Sequence, residues 1–286
     1  MLADILSVVA KALGFVCALQ AAGVALFLAL FGRELSACLD DIRRIGFFSA
    51  IAGFLFVAVQ YGLESARMAG ELAGMADPSL QRLVLTSTTA AAAALRLLGI
   101  LLIASGLMTH TRLALVRGVA GAILVALSFT LTGHTSTHPE RWLLAPFLAL
   151  HLLVIELWFG ALAPLYLICK RESPEAAARI VERFSRRATR IVPMIFVAGL
   201  ILALILIPDV SVLGQPYGEL LLAKVALFAL LMALAAANKL RLGPAISRGD
   251  VRATRAFRQS VACEYLLIVA VLATTATMTS FFSPEP

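Results

Sequence analysis

Eight long apolar stretches run through this chain, and the basic residues between them fall almost wholly into every second gap. About 20 apolar residues are enough for a helix to cross the hydrocarbon of a bilayer, where it satisfies its own backbone. The stretches cover residues 5–31, 45–63, 83–108, 115–133, 145–168, 191–207, 218–238 and 260–280. They predict an all-α fold, a polytopic membrane helix bundle with about eight transmembrane helices forming a single transmembrane domain over 1–286. Composition agrees, being 61% hydrophobic and 14% charged, against about half and a quarter in soluble domains.

Of the 24 Lys and Arg residues, 18 lie in or beside the first, third, fifth and seventh gaps, and 3 in the others. By the positive-inside rule the odd gaps face the cytoplasm and both the N and C termini lie outside. The terminal S-F-F-S-P-E-P, which carries no basic residue, agrees. The net charge of +7 therefore reads as a topology signal in a lipid bilayer and not as a nucleic-acid footprint. The opening M-L-A-D-I-L-S-V-V-A-K lacks a basic leader and is expected to be a retained span. Four isolated cysteines without a C-x-x-C pair predict no disulfide framework. In the fifth gap Ser173 and Pro174 can open a short amphipathic helix, with Ile180 and Phe184 on one side and Arg179, Arg183, Arg186 and Arg187 around the rest. It is read either as lying on the inner leaflet or as a solvated basic connector.

Few polar groups lie inside the spans. Arg96 and Glu156 sit at a shared depth of roughly 17 Å from the cytoplasmic side at 1.5 Å per residue, and a charge there needs a partner. They are expected to pair; the alternative is that Arg96 finds carbonyls or water while Glu156 stays uncharged. Lys224, Phe228, Leu231, Ala235 and Asn238 form one helical stripe. It reads as a face toward a polar path, or as a snorkelling Lys and a helix-ending Asn. Glu264, near the start of the last span, is expected to pair with a nearby Arg.

The histidines read either as an outer-facing metal site or as rings merely solvated at the mouth, with Met75 only packing. His134 and His138 occur in L-T-G-H-T-S-T-H-P at the outer mouth of the fourth span, and His151 follows below Trp142 and Pro146 in the fifth. A short loop makes those two helices neighbours, so three imidazoles are expected to converge on the outer side. Imidazole suits copper and zinc, and thioether sulfur adds affinity for Cu(I). Met68 and Met75, in the outward second gap, are candidates for that role, and Gly133 gives the backbone room to present His134. His110, at the cytoplasmic end of the third span, is an exit-side ligand or simply an interfacial polar residue.

At these residues the chain resembles the bacterial copper resistance protein D family, most strongly over 128–280. The likeness rests on S-F-T-L-T-G-H, H-L-L-V-I-E-L-W-F-G, L-G-Q-P-Y-G-E-L-L-L-A-K, N-K-L-R-L-G-P and R-Q-S-V-A-C-E-Y-L-L. The resemblance implies a multi-pass inner-membrane protein that handles copper ions, with His134 and His151 as the metal-associated histidines. It marks Trp158 and Gly160 as packing features of the same motif. It also marks Tyr217, Gly218, Lys224 and Asn238 in the seventh span, Glu264 in the eighth and Arg96 in the third. Glu156 stands where the family commonly has a small apolar residue, and F-G where it has a Gly-Gly step.

Together these readings predict a non-enzymatic copper transporter of the plasma membrane. It would import the ion from periplasm to cytoplasm through His134 and His151, with His138 or Met68 assisting and a path along the third, fifth and seventh helices. A periplasmic copper-binding protein is a natural partner. Two other readings stay open: a haem-binding electron carrier using the same histidines, and a copper-binding scaffold or sensor that moves no metal.

Overall fold

The computed structural model describes residues 2–207 and 209–282, so the last four residues of the polar tail lie outside the described residues. Helix α1 (Leu2–Phe31) is followed by α2 (Leu39–Ala69), the short α3 (Pro78–Leu85), α4 (Thr88–Leu107) and α5 (Arg112–Ser128). A four-residue turn, α6 (His134–Thr137), leads into α7 (Arg141–Arg171), α8 (Pro174–Leu206) and α9 (Pro216–Ala237). A π-helical turn, Asn238–Leu242, joins α9 to α10 (Gly243–Ser247), and α11 (Val251–Phe281) closes the chain. Among the described residues, eight helices are long and apolar enough to cross a membrane. The protein is thus an all-α polytopic bundle.

Polar residues between the apolar runs set where helices begin. Asp77 accepts from the Ser79 and Leu80 amides ahead of α3, and Asp250 from those of Arg252 and Ala253 ahead of α11. Ser87, Thr111 and Ser173 cap α4, α5 and α8 with their hydroxyls. Each cap occupies an amide that the helix itself leaves without a partner.

Helix α1 is the axis, packing against α2, α4, α5, α7 and α11, and it is the most buried of the eight spans. Gly23 and Gly160 let α1 and α7 touch backbone to backbone: a Cβ on Gly23 would sit 1.8 Å from the Glu156 carbonyl oxygen, and one on Gly160 2.3 Å from Gly23 Cα. Small residues allow such approach where lipid supplies no hydrophobic drive between helices. Pro164 lacks the N–H that the Gly160 carbonyl would otherwise accept. Gln20 of α1 donates to that carbonyl instead, at 3.3 Å. At the other extreme, α9 is the least buried span and leans chiefly on α11.

The two ends of the bundle differ. At one, Lys11 donates to the Thr279 carbonyl and the Ser280 hydroxyl, and Arg67 to the Ser280 carbonyl, which brings the chain's beginning and end together. At the other, the arginine-rich connections gather: Arg183 pairs with Glu34, Arg171 with Asp41, and Arg187 lies 4.7 Å above the Phe31 ring. Two expectations need correction. The basic segment after Ser173 is no separate surface helix but the first half of the continuous α8, its apolar residues Ile180 and Phe184 packed into the core. Arginine is a good helix former and nothing before Pro193 interrupts the backbone. Asn238, likewise, does not end its helix; the chain runs on through the π-turn to Ser247.

Candidate functional site

The structure separates the residues expected to pair at mid-membrane. Arg96 is buried between α4 and α5, where its Nε donates to Ser128 Oγ at 2.9 Å and its guanidinium lies 3.9 Å from the Phe129 ring centroid. Glu156 is fully buried on α7, where that helix meets Gly23 of α1, neither carboxyl oxygen having a hydrogen-bond partner. Residue counting puts the two at one depth, but Arg96 lies beside Phe15 of α1 while the Glu156 backbone lies against Gly23, eight residues further along that helix.

The three imidazoles do not converge either. Gly133, at φ +81°, turns the chain so that His134 meets the Tyr217 ring edge-on at 5.8 Å, at the start of α9. Left-handed backbone of this kind favours glycine. His138 is spent locally, its Nδ1 accepting from the Glu140 amide at 3.0 Å at the entry to α7. His151 points from α7 to α8, where its Nδ1 lies 3.0 Å from the Ile195 carbonyl oxygen. A carbonyl only accepts, so Nδ1 carries the proton, and in the neutral ring the lone pair is on Nε2, the arrangement a metal-binding histidine uses. Gly199 makes room for this ring, since a Cβ there would stand 3.3 Å from Cε1.

Met68 is exposed at the end of α2, and Met75 folds over Gly62. Among the described residues no group of three or more His, Cys, Asp or Glu is gathered to hold a metal ion. At the arginine-rich end, Arg43 is bonded to His110 Nδ1 and to the Leu107 and Thr109 carbonyls. A guanidinium on that nitrogen leaves His110 ill-suited to a cation.

Instead of a cage, polar groups are strung along one seam among α7, α8, α9 and α11. His151 and Trp158 lie seven residues apart on one face of α7. From α9 comes the half-buried stripe of Lys224, Phe228 and Ala235, running on to the buried Leu231 and Asn238. The charge of Lys224 is felt at His151. Deeper toward the arginine-rich end, the buried Glu264 of α11 accepts from Asn238 Nδ2 and from Trp158. The arginine partner expected for Glu264 is thus replaced by an amide and an indole, while Arg258 donates to Tyr166. Trp158, marked by resemblance only for packing, takes a polar role. Sequence reasoning missed the Gln20–Gly160 bond too, although Pro164 four residues after Gly160 signals the freed carbonyl.

The seam differs electrostatically from the other half of the bundle. Lys11 and Arg96 both lie 6.0 Å from the Phe15 ring centroid. A cation passing beside α4 would meet both. The seam offers imidazole and carboxylate oxygen, opposed by the one ammonium of Lys224.

Comparison with known proteins supports the motif reading. A family model described as "Copper resistance protein D-like, N-terminal domain" matches residues 1–142, and one described as "Copper resistance protein D" matches residues 178–278. The chain is 34% identical over 186 residues to Copper resistance protein D of Pseudomonas syringae pv. tomato, an alignment covering 60% of each chain. It is 32% identical over 170 residues to Copper transport protein CutJ of Bacillus subtilis, covering 57% of this chain and 30% of that relative. The chain therefore covers less than two thirds of the length of either relative. No solved structure matches. With both models falling on an eight-helix membrane bundle, the chain belongs to the copper resistance protein D family.

Proposed function

We propose that the protein moves copper ions across the bacterial inner membrane, from periplasm to cytoplasm, along the seam of α7, α8, α9 and α11. The observation that carries this reading is the line of donors through an otherwise apolar seam: His134 beside Tyr217, then His151, then Glu264 with Asn238. Copper is the cargo, as the relatives' names suggest, and the inward direction follows the family resemblance. A transported ion must leave as readily as it enters, so ligands met singly suit passage better than a closed four-ligand cage. His134, at the end of the bundle that holds the chain termini, is the capture ligand, and Nε2 of His151 the next. A periplasmic copper-binding protein is the expected donor.

The test is copper flux into vesicles reconstituted with the full chain. His134→Ala and His151→Ala are each expected to lower the initial rate at least tenfold at unchanged protein content. A wild-type rate retained in both variants rejects the histidine route, and metal binding without wild-type flux points to a scaffold or sensor. A Soret band in the purified protein would instead indicate haem.

A further inference from the structure

At the arginine-rich end, a cavity of about 270 Å³ opens among the ends of α1, α2, α4 and α5. Its rim carries Arg33 after α1, Arg43 on α2 and Arg112 at the start of α5, with His110 between α4 and α5. No Asp or Glu lines it; the acid that acts on Arg43 is Asp40, outside the lining. The deeper wall is apolar, with the buried Leu28, Leu107 and Gly118 among its residues, and the exposed Leu115 continues it outward. Arg43 is already fixed in place by its bonds to the α4 end, donating to the Leu107 carbonyl at 3.0 Å. Arg33 and Arg112 are exposed and close the rim from two other elements.

We propose that this cavity binds a phosphate-class anion carried on an apolar body, the chemistry of an anionic phospholipid headgroup with its glycerol and first acyl carbons. Guanidinium groups match phosphate oxygens in pairs. Basic pockets between membrane helices at the cytoplasmic boundary are where anionic headgroups are held. Basic residues there also serve topology, but topology needs only charge near a span. It does not need two exposed arginines from separate elements, with the charge of Arg43 fixed beside them, around one acid-free cavity with an apolar wall. The volume falls just below the about 300–1,000 Å³ of a drug-sized site, which is room for a headgroup but not for a whole lipid.

The experiment is native mass spectrometry of the detergent-solubilised full chain, titrated separately with phosphatidylglycerol, phosphatidylcholine and inorganic phosphate. Phosphatidylglycerol is expected to bind at least tenfold more tightly than phosphatidylcholine, and Arg33→Gln with Arg112→Gln to weaken it about tenfold. Arg179→Gln with Arg190→Gln removes the same charge elsewhere at this end and is expected to change nothing. Leu115→Glu, which sets a carboxylate in the lining, is a second route to the same loss should the double variant not fold. Inorganic phosphate displacing the lipid at equal concentration would support the site with a soluble anion as its source. Equal affinity for the two lipids, an unchanged cavity variant, or the same loss in the control pair would overturn it.

Discussion

At Gly160 a single missing methyl group decides how closely two helices meet. Gly160→Ala would drive a Cβ into the α1 backbone at 2.3 Å, and overpacking of this kind typically costs about 1–3 kcal/mol. Its melting temperature in detergent should fall accordingly, while an alanine at Gly214, where a Cβ meets nothing within 4 Å, should leave it unchanged. His151 depends on a second glycine. Gly199→Val would push the ring from the Ile195 carbonyl, so copper flux is expected to fall as it does for His151→Ala, with protein yield retained. His134 and His151 were legible as residue types at the end and upper part of two neighbouring spans. Their separation was not, because it depends on the positive φ of Gly133 and on which way α7 is turned, neither of which residue spacing encodes.

Among the connections, the one before α8 is tied down most firmly. Glu172 accepts from the Ser36, Ala37 and Cys38 amides at 3.0, 2.8 and 3.1 Å, and from the Ser36 hydroxyl at 2.9 Å. Partial burial pulls its carboxyl upward, yet the bonds from Cys38 and Ser36 outweigh this and hold it below the ordinary value of 4.5. With the folded value depressed, the stabilisation is complete above 4.5 and is lost as pH falls through the lowered value. Hydrogen bonds to a charged acceptor contribute about 1.5–3 kcal/mol, so Glu172→Gln is expected to speed hydrogen exchange at Ala37 and Cys38 by about tenfold or more. It should also remove the acid dependence of that exchange. Burial, reinforced by the same carboxylate, pushes the Cys38 thiol up to about 12, so Cys38 should resist alkylation at neutral pH. The helices and their order were readable from hydropathy. This clasp was not, because a lone Glu beside a Lys-Arg pair looks like any boundary residue until the loop opposite presents three amides.

The bundle as a whole joins two unlike parts through α1 and α7. Charge counting could assign the arginine-rich connections to one side, and the structure gathers them at one end; it could not say that α1 would be the hub. Counting residues from each span's end does not give a common depth when helices begin at different levels, and the pairing of Arg96 with Glu156 fails for that reason. In a cysteine-free background, Thr137→Cys should react with an impermeant maleimide in intact cells and Arg252→Cys only after lysis, which checks the outward placement of the α6 turn. One consequence follows from how lightly α9 is held. Its neighbour α11 also grips α1 and α7, whereas α9 leans on the assembly from outside like a door on its frame. Thermal swinging of that door should show as faster amide exchange along α9 than along α1. It would open the seam beside His151 while the glycine-locked hub stays still.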